Sequence, residues 1–513
     1  MKTFQVRLVV SIICVILITG LGYVPVNAGK PTGWSPDEKV PGYLDDTFTP
    51  FLLADHNKTI QAFASQWVEN QGRRRAIVYR QWTLVGGWTR PVDIILSPTR
   101  GDANFLWAFM DSLDNIHLIF SATQSSKTAV YYTSAPAINA DRASAWSTPM
   151  LIGENALLLN SAVIIGDGQE NLVIIYSGNR DGSGVYYMQS KDTGKTWTSP
   201  LPVFLTYDSS LSAFSLRLVL GTEQKIRATW NVVTNLGEDE SLYFANFDLQ
   251  KSEWDTPIEL DQRINIRDYF GPSFPAIVDN GREIIVVYNS GNPFKGRPVD
   301  LGRPVQFFSL SKNGGVTWSD PSVPFPFHVG RSGEHTLLLD GDGVPHTLFI
   351  QRIDTKDESG KYSSIGGVWH SKFQNGIWTN PDRFVTTYAP HDIRAAISQG
   401  NVLLAVWRED PGVERQHGIW YSYNVLDASQ LPASPLATAE IDYSVKVEST
   451  TASSPLTFNE TPTPSSQADL FNESPPSPLG NNPALPVIIG IIPVLLILIG
   501  VLVGYRFVLN RNK

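Results

Sequence analysis

The side chains best suited to chemistry gather in three late segments of the chain. Arg267 and Tyr269 come first, then Arg331, Glu334 and His335, then His391, Asp392 and Arg394. A guanidinium is a planar fork that can hold a carboxylate through two bonds. Arg267, Arg331 and Arg394, with His335 and His391, are therefore the candidate residues for binding an acidic ligand. Retaining glycoside hydrolysis needs two carboxyl groups about 5–5.5 Å apart, or a tyrosine nucleophile, with electrostatic help. Tyr269, Glu334 and Asp392 are the candidate catalytic groups. The competing reading is solvated loop charge and ion pairs between loops. His391-Asp392 lacks any ligand spacing that suits zinc, so no metal is expected. No phosphate loop, GxSxG elbow or dinucleotide fingerprint occurs, so no cofactor is expected either.

Those segments must be brought together by the elements between them, and a recurring tryptophan identifies these. W-x-x-P occurs at Trp88, Trp146, Trp197, Trp254, Trp318 and Trp378, with a shortened copy at Trp34-Ser35-Pro36. The intervals run from 51 to 64 residues. A near-constant period of this size signals an array of one supersecondary unit. Within the unit, short apolar runs alternate with Gly/Asp/Asn turns, and helical periodicity is absent. In residues 161–200, Ser161–Ile165, Asn171–Tyr176 and Val185–Met188 are three such runs. A turn then leads into Trp197 and a fourth strand. We call the four strands A to D.

Seven A–B turns can be counted, from Asp55-His56-Asn57 to Ser398-Gln399-Gly400-Asn401, and strand C also occurs seven times. The last unit, near residues 390–427, has no tryptophan-led strand D, whereas Trp34-Ser35-Pro36 is a strand D without the other three. The fold expected is all-β: a seven-bladed β-propeller of four-stranded antiparallel blades, its last blade closed by the N-terminal strand. Such closure removes the open sheet edge. A six-bladed ring with one irregular pair is the alternative. Burying one tryptophan removes roughly 150–250 Å² from water, ~4–6 kcal/mol gross. A contribution of that size at the same place in each unit reads as blade packing.

Strand direction assigns the loops to faces. A–B and C–D turns share one face; B–C loops and D–A connections share the other, which carries the long charged segments. Function is expected on long loops held by a rigid scaffold. Arg267, Arg331 and Arg394 belong to the D–A connections of blades five to seven and would meet near the central channel.

Ser190-Lys191-Asp192-Thr193-Gly194-Lys195-Thr196-Trp197 matches the Asp-box pattern S-x-D-x-G-x-x-W, and Ser311–Trp318 matches it with Asn313 in place of Asp. On these motifs residues 33–427 resemble the sialidase-like BNR propellers. The resemblance implies the propeller fold. For sialidases it further implies an arginine triad for a substrate carboxylate, a Tyr–Glu nucleophile pair and an aspartic acid/base. The Arg-Ile-Pro motif those enzymes carry on the first blade does not occur in this chain. The box itself is local architecture: Asp192 accepts bonds from its own turn, Gly194 relieves a demanding dihedral and Trp197 anchors the turn.

The ends of the chain describe an anchored protein. Lys2 and Arg7 precede an apolar run to Leu21, and Val26-Asn27-Ala28 offers a cleavage site, so residues 1–28 read as a signal peptide. The single cysteine, Cys14, lies inside it. Residues 29–427 form the propeller. Residues 428–484, rich in Ser, Thr and Pro, read as a disordered stalk. Residues 485–508 hold the uncharged run Val487–Tyr505, about 28 Å as a helix and enough to span a membrane. Residues 509–513 are a short basic tail, which the positive-inside rule makes cytoplasmic.

The chain of 513 residues carries a net charge of -9 without a basic stripe, so no nucleic-acid partner is expected. The ligand expected is an extracellular carbohydrate or glycoprotein, acidic where the arginines face it. Two readings stay open. One is a membrane-anchored propeller that binds glycans without turnover. The other is an exo-acting glycoside hydrolase of sialidase type.

Overall fold

The computed structural model describes residues 33–437, apart from 69–73, 125–126, 154–160, 222, 265–269, 295–303, 329, 331, 357–361, 388–389 and 411–415. The described residues belong to one compact unit. The expected signal peptide, the stalk beyond residue 437, the apolar run of 485–508 and the basic tail lie outside the described residues. Among the described residues no helix is long and apolar enough to cross a membrane.

The strands assemble into seven antiparallel sheets. The innermost strands of blades one to seven are Phe51–Ala54, Ala103–Met110, Ala162–Gly166, Leu211–Leu220, Ser273–Asp279, Ser332–Leu339 and Pro390–Ser398. Each touches the next, and the last touches the first, so the ring has seven blades and not six. Blade three shows the unit plainly, as Ala162–Gly166, Leu172–Gly178, Gly184–Ser190 and Leu201–Leu205. Its second strand is buried along its whole length, as is Ile284–Ser290 of blade five. That burial explains why these strands read as continuous apolar runs with no alternation. Blade five keeps three strands; its outer edge is reduced to a bridge between Phe308 and Ser322.

Blade seven is completed by the N-terminus. Glu38–Lys39 pairs antiparallel with Gly418–Val425, and Trp34 bridges to Asn424. The Ser35 amide donates to the Tyr423 carbonyl and the Val40 amide to the Ile419 carbonyl, both at 2.8 Å.

The repeated tryptophans have one role, and it lies between blades. Trp88 meets Tyr421, Trp146 meets Phe63, Trp197 meets Tyr132 and Trp254 meets Tyr187. Trp318 meets Phe244, Trp378 meets Phe308 and Trp34 meets Phe384. Each pair joins one blade to the blade before it, and Trp88 carries the series across the closure from blade one to blade seven. Two of these rings, Trp197 and Trp318, are also held by Asp-box turns. The Thr196 amide donates to Asp192 at 2.9 Å, and the Trp197 indole donates to the Gly194 carbonyl at 3.1 Å. Hydrogen bonds from Thr196 pull the Asp192 carboxyl down to about 2. Gly194 sits at φ +85°, where a β-carbon would collide with the Tyr132 hydroxyl, so only glycine fits.

Residues 428–437, the start of the Ser/Thr/Pro-rich segment, run across the A–B turns. The Ser429 amide donates to Asp342 of blade six at 3.3 Å, and that of Leu431 to the Gln399 carbonyl of blade seven at 2.8 Å. The Ser434 amide reaches the His56 carbonyl of blade one at 3.1 Å, and the Ala437 amide reaches Asp114 of blade two at 2.7 Å. Leu436 packs onto the core between blades one and two.

Candidate functional site

Five inner strands break register against their second strand; in blade two the slip falls between Phe105 and Trp107. In blades four to seven it falls between Phe214 and Arg217, Ser273 and Ala276, Ser332 and His335, and His391 and Arg394. Ser215, Phe274 and Asp392 take φ of 48°, 51° and 51° there. Such values are uncommon for residues with a β-carbon, and bulges of this kind re-aim side chains. The bulges make Arg217, Ala276, His335 and Arg394 equivalent positions in blades four to seven.

A cavity of about 330 Å³ opens at this level, and both Arg217 and Arg394 line it. Glu334, Asp392 and Arg408 line it as well. Its wall is aromatic: Phe63 stacks on Phe105 at 5.5 Å between centroids, and Phe51 meets Trp107 at 4.7 Å. The sequence places Glu334, Asp392 and Arg394 together, and the structure brings all three to this cavity.

Arg394 is ion-paired with Glu334 through Nη1, which also donates to the Ile393 carbonyl at 3.0 Å. Arg217 mirrors it: its Nη1 donates to the Leu216 carbonyl at 2.9 Å, and the guanidinium lies 5.5 Å from the Trp107 ring. Arg217 meets no carboxylate among the described residues. Burial lowers Arg217 to about 10, and burial with the neighbouring Arg217 charge lowers Arg394 to about 9. Both still carry their protons at neutral pH. Arg408 pairs with Asp410 at 3.1 Å and lies 3.8 Å from Asp392, while the His391 ring meets Asp410 at 3.0 Å. The floor thus offers two guanidiniums, Arg394 paired with Glu334 and Arg217 meeting no carboxylate among the described residues, an arrangement suited to receive an anion.

His335, the other histidine singled out from the sequence, is buried. Its Nε2 donates to the Val287 carbonyl of blade five at 2.8 Å, and burial lowers it to about 4, so the ring is neutral at pH 7. Arg267, Tyr269 and Arg331 lie outside the described residues. Arg217 is the residue that linear reading misses. The signal for it exists: Ser-Leu-Arg-Leu at 215–218 places one arginine in an apolar inner strand, as Asp-Ile-Arg-Ala does at 392–395. Arg75, from the triple arginine at 73–75, is occupied in packing, lying 4.3 Å from Phe48 and 4.7 Å from Trp67. Among the described residues no group of three or more His, Cys, Asp or Glu side chains could hold a metal.

No family model and no curated protein sequence matches the chain. Solved structures do. A polysaccharide lyase of family PL25, an ulvan lyase bound to -[GlcA(1-4)Rha3S]-, aligns with a TM-score of 0.46 at 14% identity, over 78% of this chain and 96% of its own. The intramolecular trans-sialidase of Ruminococcus gnavus aligns at 0.37 and 12% identity, over 80% and 99%. The sialidase of Trypanosoma rangeli aligns at 0.40 and 8% identity, over 78% and 58%. The chain is a seven-bladed β-propeller, similar in structure and at low sequence identity to sialidases and to PL25 ulvan lyases.

Proposed function

We propose that the propeller binds an acidic glycan at the mouth of its channel, with the ligand's carboxylate or sulfate received by Arg217 and Arg394. One observation carries this reading: two guanidiniums at the same bulge level line an aromatic-walled cavity, Arg394 paired with Glu334 and Arg217 meeting no carboxylate among the described residues. An excess of positive charge in a low-dielectric concavity concentrates anions. A few placed polar groups among apolar walls are what a small-molecule site requires. Arg267, Arg331 and Tyr269 belong to the same proposal, because their connections lead into the inner strands of blades five and six. Its setting is the cell surface, with the propeller outside, anchored by residues 485–508 and followed by a cytoplasmic tail.

Calorimetric titration of residues 29–441 with sialylated, uronate-containing, sulfated and neutral oligosaccharides tests the proposal. Acidic ligands alone should bind, and Arg217→Met and Arg394→Met should each weaken them at least about tenfold. Equal binding of neutral ligands, or indifference to both substitutions, refutes it.

A second reading, an exo-acting glycosidase of sialidase type, draws on Glu334 and Asp392 lining that same cavity. Release of a terminal sugar by the native chain, lost in Glu334→Gln and in Asp392→Asn, would establish it. Absence of turnover on sialosides and neutral glycosides removes it.

A further inference from the structure

We propose that the channel beneath the arginines is a second compartment of this site, and that it takes the aliphatic chain of a carboxylic acid. The inference rests on the anion-site reading and names a ligand class for it. A cavity of about 390 Å³ continues below the mouth, and Phe51, Trp107, Arg217 and Arg394 line both spaces. An anion held by the arginines therefore has room on either side of it. The lower space is lined by Leu218, Val219, Ile277, Leu337 and Leu339. Sugars, which need hydrogen-bonding partners on nearly every carbon, have few there; a hydrocarbon chain needs none.

One polar feature sets the head group. Arg394 is engaged by Glu334, while Arg217 meets no carboxylate among the described residues, so these three side chains together leave one positive charge for a ligand. His335 lines the lower cavity at only 3% exposure; its Nε2 donates to the Val287 carbonyl and its Nδ1 is sealed from the cavity, so the ring adds no polar contact to a ligand. The arrangement fits a monoanionic acid with an apolar chain running down the axis.

The test uses residues 29–441, which contain the whole ring, titrated with hexanoate, octanoate, decanoate and decanol. Each added methylene should tighten binding about fourfold until the cavity is filled. Decanol should bind far more weakly than decanoate. Ala276→Leu, which fills the channel wall, should abolish the chain-length gain while leaving binding of an acidic sugar intact. Should that variant misfold, the homologous series on the native chain still decides. Acids that bind without regard to chain length, or fail to bind while an acidic sugar binds, overturn this inference and leave the anion site standing. If neither the acids nor an acidic sugar binds, the anion-site reading falls with it.

Discussion

Glu334→Gln separates the two roles open to the Glu334–Arg394 pair. In the binding reading the carboxylate is an internal competitor: it occupies Arg394 until a ligand anion displaces it. Removing its charge takes the local sum of Arg217, Arg394 and Glu334 from +1 to +2 while leaving an amide that fills the same space. A charge-assisted hydrogen bond contributes about 1.5–3 kcal/mol. The two partners are 28% and 22% exposed, so solvent screens the pair and about 1 kcal/mol is the fair expectation. Affinity for a monoanionic ligand should therefore rise about fivefold. The assay is calorimetric titration at low salt and at ~0.3 M salt, where the gain should shrink as screening increases. Thermal unfolding of the variant should remain a single cooperative step. A variant that folds cooperatively and binds the anion several-fold more weakly refutes the reasoning, because Glu334 would then be positioning Arg394 for the ligand. The same variant informs the catalytic reading, in which turnover disappears while binding persists.

Three further outcomes follow from the fold. Trp34→Ala removes a ring that is 8% exposed and stacked 3.7 Å from Phe384, so it should cost about 3–5 kcal/mol and open the N-terminal strand to limited proteolysis; unchanged urea unfolding would contradict the packing role. His335 and His370 are lowered by burial to about 4 and about 3, so the folded state refuses protons that the unfolded chain accepts below ~6.5. Their stability contribution is complete above pH 6.5 and lost as pH falls; at pH 5 each should cost about 2 kcal/mol relative to pH 8. His335→Gln should remove about half of their combined acid sensitivity in paired urea titrations, and an unaltered pH difference would argue against it. Ending the chain at residue 427 instead of 441 strips the contacts of residues 428–437, including Leu436 and several hydrogen bonds. It should lower stability by about 2–4 kcal/mol, and equal melting of the two forms would show that these contacts contribute nothing.

Blade number and closure are legible in the sequence because one bulky residue performs one task in every repeat. Each tryptophan meets the preceding blade, so the interval between tryptophans is a blade, and the orphan Trp34 has to complete the blade that lacks one. The site is legible in part. Glu334, Asp392 and Arg394, expected in D–A connections because of their charge, in fact lie in the inner strands Ser332–Leu339 and Pro390–Ser398, where they line one cavity. Arg217 escapes because it sits inside the strand Leu211–Leu220, where a lone arginine resembles an ordinary strand residue. What brings it level with Arg394 is a bulge, and a bulge is a property of pairing that no residue type announces. His335 shows the converse. Its position beside Glu334 suggests ligand contact, yet its Nε2 is committed to a carbonyl of the neighbouring blade, which only the closed ring supplies. Residues 428–437 are held largely by their backbone amides, reaching turn carboxylates and carbonyls, and composition is blind to such bonds.

The path of residues 428–437 also decides how the propeller bears a mechanical load. A pull applied beyond Ala437 arrives first at Asp114 of blade two, then at His56 of blade one, then at the turns of blades seven and six. The noncovalent seam, where Glu38–Lys39 meets Gly418–Val425, is bypassed at the start. Force is spread over four blades, so the last strand is not peeled from its neighbours one bond at a time. Because these bonds lie on the A–B face, tension would draw on the rim opposite the arginine-lined mouth and leave that mouth unstrained.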